Sequence, residues 1–283
     1  MPHRSSPPPH LIKANTAVNA SETAIQRYVF VGGLHRSGTS LTARMIAGLH
    51  DVAAISDAPV PENEGVYLQG AIPHTALHGR PMHFATDPRQ HLTEGCRWDR
   101  LETRQRIEAD WAPWFGKGRW RVEKSPVNLT RMRLYQQLFP LSQFVVVIRH
   151  PQAVAAAVSK WVDAPQAVLI DHWIAAHRQL RKDLDRLHAV MVLRYEDLVR
   201  APQAHLSALA AFLDVEDRSV DYDIRDGNRD YAYPVDPNPS QLQAMAEWGY
   251  GPGGTLTVPS RLLRHPLRRV AERAEAAFSQ ATG

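Results

Sequence analysis

The chain of 283 residues has a single cysteine, Cys96, and little net charge. One cysteine excludes an intramolecular disulfide and offers no cysteine-based metal cluster, so the sequence predicts no metal site. The formal charge is +4, with 22% charged residues of both signs. This weak and mixed excess does not indicate a nucleic-acid-binding surface. An anionic small-molecule ligand is a sufficient reason for the surplus of basic residues.

Long apolar runs are also absent from the sequence. No stretch approaches the roughly 18–20 apolar residues that a membrane-spanning helix needs, and residues 1–22 lack the apolar core of a signal peptide. We therefore expect a cytoplasmic protein with no membrane partner. Residues 1–26, which include Pro7-Pro8-Pro9, are expected to form a disordered tail. Residues 27–283 show no linker and no repeat, and they are expected to form one domain.

The stretch around which the chain is organised is a glycine loop between a strand and a helix. Tyr28-Val29-Phe30-Val31 is an apolar, strand-favouring run that leads into Gly32-Gly33. Residues 41–49 then show apolar positions at helical spacing. A strand, a glycine loop and a helix in this order point backbone N–H groups and a helix N-terminus at an anionic group.

The loop departs from a nucleotide-hydrolysing P-loop at one position. Gly33 and Gly38 have the P-loop spacing, but Thr39-Ser40 follow where the motif has a lysine and then Ser or Thr. That lysine reaches the β- and γ-phosphates, so its absence argues against ordinary ATP or GTP hydrolysis. The loop instead carries a cation inside it, Arg36.

Predicted strands and helices alternate along the chain. The strands are predicted at residues 27–33, 52–55, 120–123, 144–148 and 189–193, and the helices at 41–49, 99–111, 128–139, 152–162, 170–187, 203–213 and 266–278. This alternation predicts an α/β fold with a central parallel sheet flanked by helices. The β-branched run at 144–148 is typical of a central strand buried on both faces. We expect Asp99 and Asn128 to cap the helices that they begin, and His177 to pack in the core.

Four basic residues, Arg36, Lys124, Arg149 and Arg194, each follow a predicted strand. In parallel sheets the ligand binds beyond the carboxyl ends of the strands, so we expect these cations on one rim. Four cations around a phosphate loop indicate a ligand with more than one anionic group. The irregular, proline-rich segment 57–97 is expected to lie over the site.

Several segments together resemble the sulfotransferases that use 3′-phosphoadenosine 5′-phosphosulfate. Gly33-Leu34-His35-Arg36-Ser37-Gly38-Thr39-Ser40-Leu41 is similar to their 5′-phosphosulfate loop, and Val147-Ile148-Arg149-His150-Pro151 to their 3′-phosphate-binding strand end. Glu123-Lys124-Ser125-Pro126 and Arg194-Tyr195-Glu196-Asp197-Leu198 are similar to further family segments in the same order. The resemblance spans residues 28–198 and is greatest to bacterial members related to tyrosylprotein and carbohydrate sulfotransferases. It implies a fold like that of the P-loop-containing nucleotide hydrolases.

The resemblance implies transfer of a sulfonate by in-line displacement to an acceptor hydroxyl on a small molecule, carbohydrate or peptide. Residues of the loop, namely Arg36, Ser37, Gly38, Thr39 and Ser40, would hold the 5′ end of the donor. Arg149 would hold the 3′-phosphate through two parallel hydrogen bonds. Arg36 and Lys124 would stabilise the leaving oxygen without a metal.

The second 3′-phosphate ligand of the family departs from the pattern here. The family usually has a serine eight residues after the arginine, where this chain has Ala157. Ser159 lies two residues further, which turns a side chain by about 200° on a helix. Ser159 is therefore a weaker candidate than Arg149 for binding the 3′-phosphate.

The acceptor hydroxyl needs a general base, and relatives place a carboxylate or a histidine for it between the first helix and the next strand. The candidates are Asp57, Glu62, Glu64 and His74. Pro61-Glu62-Asn63-Glu64-Gly65 resembles a segment of the bacterial group and favours Glu64. Counting along the loop as in the tyrosylprotein enzymes gives Asp57.

Two other function classes remain open at this point: a P-loop small-molecule or nucleotide kinase, and a non-catalytic nucleotide-binding module. The absent loop lysine disfavours the kinase. Residues 228–231 and 248–251 either close over the nucleotide or form plain turns.

Overall fold

A computed structural model describes residues 26–73, 82–221, 223–233, 235–257 and 262–279. The predicted tail, apart from Gln26, lies outside the described residues, and so does the candidate base His74. No helix in the described ranges is long and apolar enough to cross a membrane.

Within the described ranges, six strands form one sheet in the order β2-β3-β1-β4-β5-β6. The strands are β1 (Arg27–Gly32), β2 (Val52–Ala54), β3 (Trp120–Lys124), β4 (Gln143–Ile148), β5 (Val190–Arg194) and β6 (Leu262–Arg264). Neighbours from β2 to β5 are parallel, and β6 pairs with β5 in the antiparallel direction. The predicted central parallel sheet is confirmed. The short antiparallel edge strand has no counterpart among the predicted elements.

Helices connect the strands and flank the sheet. They are α1 (Thr39–Ala47), α2 (Gly65–Leu68), α3 (Leu101–Trp111), α4 (Met132–Leu138), α5 (Pro151–Val158), α6 (Gln166–Leu184), α7 (Tyr195–Arg200), α8 (Pro202–Leu213), α9 (Pro239–Ala246) and α10 (Arg268–Ser279). Short 3₁₀ turns occupy Pro61–Asn63, Pro126–Thr130 and Gly227–Asp230.

The core consists of two apolar layers, one on each face of the sheet. Successive side chains of a strand point to opposite faces, so β1 and β4 contribute to both layers. Phe30 stacks on Phe144 with ring centroids 5.8 Å apart in one layer, and Val31 and Val145 lie in the other. Every residue of β4 is buried, as predicted for a central strand covered on both faces.

His177 lies in the core, which confirms its predicted structural role. Its ring stacks on Trp173 with centroids 3.8 Å apart, and its Nδ1 is 2.7 Å from the Trp173 carbonyl oxygen. Burial lowers the pKa of this imidazole to about 4, so it is neutral at pH 7.

The two predicted helix caps are wrong. Helix α3 begins after Arg100 without a side-chain cap, and the Asp99 carboxylate instead accepts a hydrogen bond from the Gly95 amide at 2.8 Å. Asn128 lies within a buried 3₁₀ turn, and α4 begins only at Met132. The Asn128 amide group donates to the carbonyl of Val31 at 3.0 Å and to the Glu123 carboxylate at 2.6 Å. Bonds to distant buried groups have therefore replaced a local cap.

Candidate active site

A cavity of about 580 Å³ opens beyond the carboxyl ends of the strands, beside the glycine loop. The loop after β1, the segment before α2, the end of β4 and the segment 223–231 all contribute to its wall. Of the predicted site residues, the cavity lining includes Arg36, Gly38, Thr39, Ser40, Glu62, Glu64 and Arg149. The structure thus brings together residues from distant parts of the sequence.

Gly38 fixes the turn from the loop into α1. Its φ of 101° lies in the region that glycine adopts without strain, and a Cβ at this position would lie 2.6 Å from Cδ2 of Tyr195. No side chain of the described residues caps α1. The first N–H groups of the helix, at Thr39 and Ser40, therefore remain available to an anion in the cavity.

Ser37 lies deeper than the sequence suggested. Its amide closes the loop by donating to the Leu34 carbonyl at 3.1 Å. Its hydroxyl is fully buried, lacks a hydrogen-bond partner within the described part of the chain and does not line the cavity. Ser37 therefore supports the loop rather than presenting its amide to a ligand.

Arg149, at the end of β4, is held with one guanidinium nitrogen unused. Its Nε donates to the side-chain oxygen of Asn228 at 2.7 Å, and its NH1 donates to the Arg36 carbonyl at 2.8 Å. Its guanidinium lies 4.3 Å from the centroid of the Tyr195 ring. The remaining NH2 group is buried and has no partner among the described residues. Because buried polar groups are almost always paired, this orphan marks a place where an anion fits.

Two residues of the segment 228–231, Asp230 and Tyr231, line the cavity. Asn228 is oriented by donating its amide group to Glu196 at 2.9 Å, and the Tyr231 hydroxyl accepts from Arg36 at 3.3 Å. The segment 248–251 does not contribute to the cavity lining formed by the described residues, and its Tyr250 is buried and donates its hydroxyl to Glu196 at 3.1 Å.

Glu64 lines the cavity and forms a buried ion pair with Lys124, which is not itself among the described lining residues. Their side chains are about 10% and 8% exposed, and Lys124 Nζ lies 2.9 Å from Glu64 Oε1. Burial raises the pKa of the Glu64 carboxyl to about 7, although the neighbouring ammonium favours the ionised form. A carboxyl group with a pKa near neutrality is suited to general-base chemistry.

The other two described candidates for the base are placed differently. Glu62 is exposed at the cavity wall, and its carboxylate accepts a hydrogen bond from the Ser40 hydroxyl at 3.3 Å. Asp57 is exposed and does not contribute to the cavity lining formed by the described ranges.

Two residues from the sequence analysis lie away from the cavity or are already fully bonded. Ser159 is exposed at the end of α5, where its hydroxyl donates to the Ala156 carbonyl at 2.9 Å, and it does not line the cavity. Arg194 is buried and donates to both carboxylate oxygens of Asp197 at 2.7 and 3.0 Å. It also donates to the carbonyls of Gly249 and Thr257. The expectation that Arg194 is a ligand-binding cation is therefore corrected, because its donors are used in the fold.

The structure adds two residues that the sequence analysis did not assign. His35 lines the cavity, and burial lowers the pKa of its imidazole to about 4. Its position next to Arg36 in the glycine loop could have indicated from the sequence that His35 lies at the site. Trp161 also lines the cavity with a half-exposed ring, and the Arg36 guanidinium lies 5.2 Å from the ring centroid. Nothing in the local sequence around Trp161 indicated this contact.

Several solved structures are similar to this chain. The sulfotransferase domain of the Synechococcus PCC 7002 olefin synthase is 17% identical, with 89% of this chain and 94% of that chain covered and a TM-score of 0.43. A sulfotransferase from Alicyclobacillus acidocaldarius is 15% identical, with 90% and 98% covered and a TM-score of 0.46. A sulfotransferase from Mycobacterium tuberculosis H37Rv is 15% identical, with 92% and 78% covered and a TM-score of 0.44.

Family membership follows from a different comparison. No curated protein matches the chain significantly. The model of the sulfotransferase family matches residues 28–219, which contain the glycine loop, Glu64, Lys124 and Arg149. This match covers well over half of the sequence, and the chain therefore belongs to the sulfotransferase family.

Proposed function

We propose that this sulfotransferase uses 3′-phosphoadenosine 5′-phosphosulfate as its donor and a hydroxyl group as its acceptor. The observation that carries the proposal is the pairing of two anion-binding features in one cavity. These are the uncapped start of α1 and the unpartnered NH2 group of Arg149, as far as the described residues show. A nucleotide with a 3′-phosphate and a 5′-phosphosulfate has one anionic end for each feature.

In this proposal the glycine loop binds one anionic end of the donor and Arg149 binds the other. The N–H groups of Thr39 and Ser40 and their hydroxyls bind the 5′-phosphosulfate, next to the Gly38 turn, and the Ser40 hydroxyl gives up its bond to Glu62 when it does so. Arg149 binds the 3′-phosphate through its free NH2 group, and not through the two parallel hydrogen bonds expected from the sequence, because its Nε and NH1 are used by Asn228 and the Arg36 carbonyl. Ser159 has no part in this binding site, because it does not line the cavity.

The proposed reaction is an in-line displacement at sulfur. The acceptor oxygen forms a bond to sulfur while the bond from sulfur to the bridging phosphate oxygen breaks, and the electron pair of that bond remains on the bridging oxygen. The acceptor proton moves to Glu64. As in phosphoryl transfer, negative charge builds on the leaving oxygen, and Arg36 and Lys124 stabilise it. Fixed donors of this kind contribute about 3 kcal/mol each.

Adenosine 3′,5′-bisphosphate, the product nucleotide, is expected to stabilise the folded chain far more than AMP does. At a hundredfold excess over its dissociation constant it adds about 2.7 kcal/mol to the free energy of unfolding. AMP leaves the Arg149 NH2 group unpaired and is expected to bind more weakly. Thermal unfolding in the presence of each nucleotide measures the difference.

A matched variant makes the nucleotide test specific. In Arg149→Lys the positive charge is kept but the planar fork of donors is lost, so the advantage of the bisphosphate over AMP is expected to shrink. Equal shifts of the melting temperature from the two nucleotides in the parent protein would overturn the donor assignment.

Turnover is expected to rise with pH through about 7, because Glu64 must be ionised to accept a proton. The pKa of Glu64 is raised to about 7 by burial and by the neighbouring charges of Glu62 and Glu123, against the opposing effect of Lys124. At one pH unit below that value only about a tenth of the molecules carry the ionised base. The pH profile of kcat/KM measures this acidic limb. A profile that is flat between pH 5.5 and 8 would contradict the assignment.

The acceptor class is to be identified by direct turnover. Incubation with labelled donor and separate sets of small molecules, carbohydrates and peptides is expected to label one set through its hydroxyl groups. Absence of transfer to any set, together with tight binding of the bisphosphate, would favour a non-catalytic nucleotide-binding module.

A further inference from the structure

Glu64 occupies the position that precedes α2, and the residue at such a position usually supplies the oxygen that caps the helix. The Glu64 side chain makes no capping bond to the start of α2. Its Oε1 instead accepts from Lys124 at 2.9 Å, at the cavity wall. Other groups must therefore satisfy the N–H groups at the start of this helix.

These groups come from β3 and the residue that follows it. Glu123 Oε1 accepts from the Gly65 amide at 2.9 Å and from the Ser125 hydroxyl at 2.6 Å. The Ser125 hydroxyl in turn accepts from the Val66 amide at 3.1 Å. The first two N–H groups of α2 are thus bound, directly and through one hydroxyl, by a carboxylate that is 58 residues away from Gly65 in the sequence.

The backbone at Gly65, directly after Glu64, also forms a hydrogen bond with helix α3. The indole N–H of Trp111, at the end of α3, donates to the Gly65 carbonyl at 2.9 Å. A Cβ at Gly65 would lie 2.8 Å from Glu123 Cγ and 2.8 Å from the Trp111 indole nitrogen. The backbone on which Glu64 is mounted is therefore fixed between β3 and α3, and only glycine fits between them.

Glu123 is itself rigidly placed. It is 1% exposed, and its second oxygen accepts from the Asn128 amide group at 2.6 Å. Burial raises its pKa, while its three donors favour the ionised form. All the contacts described for its carboxylate are donors, namely Gly65, Ser125 and Asn128, so this carboxylate is suited to hold backbone rather than to exchange a proton with a substrate.

We propose that Glu123 is a positioning residue for the reaction. By capping α2 in place of Glu64, it leaves the Glu64 carboxylate free to face the cavity beside Lys124. This inference rests on the proposed role of Glu64 as the base. Glu123 does not touch the acceptor, and its effect on turnover passes through Glu64.

The test is a double-mutant cycle with Glu123→Gln and Glu64→Gln. The amide at position 123 places an N–H₂ group opposite either Asn128 or both Gly65 and Ser125, so one or two of the three anchoring bonds are lost. A displacement of about 1 Å at a reacting group lowers the reaction rate by up to 10²-fold. Glu123→Gln is therefore expected to lower kcat by about tenfold to a hundredfold. In the Glu64→Gln background the same change is expected to alter kcat by less than about twofold, because no base remains to be positioned.

Asp183→Asn is the matched control. Asp183 is a buried carboxylate on α6 that binds His91 at 2.7 Å and Arg133 at 3.2 Å, away from the cavity. Loss of the Asp183 carboxylate is expected to lower the melting temperature and to leave kcat unchanged. If Glu123→Gln does not fold, Ser125→Ala removes the hydroxyl that joins Glu123 to the Val66 amide and leaves the direct bond from Gly65 to Glu123. A smaller loss of kcat with the same dependence on Glu64 is expected.

The outcomes separate this inference from the proposed function. Equal losses of kcat from Glu123→Gln in both backgrounds would show a general structural role and overturn the positioning role alone. Full turnover in Glu64→Gln would overturn the proposed base, and the positioning role with it. A loss confined to the background that contains Glu64 supports both.

Discussion

Glu64→Gln is expected to lower turnover by about 10²–10⁴-fold while product-nucleotide binding stays within about twofold. Glutamine keeps the shape of the side chain and an oxygen that can accept from Lys124, so the contact at 2.9 Å can survive. What is lost is the group that takes the proton from the acceptor hydroxyl. Single-turnover kinetics with labelled donor, together with thermal unfolding in adenosine 3′,5′-bisphosphate, measure the two quantities.

Two parallel variants identify the base among the described carboxylates. Glu62→Gln and Asp57→Asn are expected to lose much less turnover, because Glu62 is exposed and Asp57 lies away from the cavity lining. The acceptor concentration must be well above its KM, since a weakened acceptor site would otherwise imitate loss of the base. An inactive Asp57→Asn beside an active Glu64→Gln would move the base to Asp57.

Arg36→Ala is expected to lower kcat by about 10²–10³-fold with little change in product-nucleotide affinity. The side chain is exposed, and the guanidinium is held only by the Trp161 ring and the Tyr231 hydroxyl among the contacts described for it. Its interaction with the leaving oxygen grows as that oxygen gains charge, so the loss falls on the transition state. Arg36 is a better test of this effect than Lys124, whose removal would leave Glu64 buried without its ion-pair partner.

Arg181→Ala is the control for Arg36. Arg181 also lies over a tryptophan, with its guanidinium 4.1 Å from the ring centroid of Trp248, and it lies outside the cavity. Turnover is expected to be unchanged in this variant. Should Arg36→Ala keep its turnover and instead lose nucleotide affinity, the residue binds the donor without stabilising the leaving oxygen.

The sheet could be predicted because its signals are local. The β-branched run of β4 and the glycine loop after β1 each lie within a few residues, and burial on both faces makes the strands uniformly apolar. The caps at Asp99 and Asn128 could not be predicted in the same way. Their side chains bind groups that local sequence does not place, such as the Val31 carbonyl, which lies 97 residues from Asn128.

The site was predictable to a similar extent, and for the same reason. The loop residues and Arg149 follow strands directly, so the topology alone brings them together. Arg194 follows a strand equally well, but its donors are taken by Asp197 and by two carbonyls 55 and 63 residues away. The raised pKa of Glu64 likewise depends on burial by the folded chain, which outweighs the opposing effect of Lys124, 60 residues away.

The Tyr195 ring constrains how far apart the two proposed anion-binding sites of the cavity can be. The same ring contacts both Gly38 and the guanidinium of Arg149. It therefore sets the distance between the two proposed anion-binding sites. Because an aromatic ring is rigid, this distance does not depend on the length of any loop. A change in the length of a surface loop therefore leaves the spacing between the two proposed anion-binding sites unchanged.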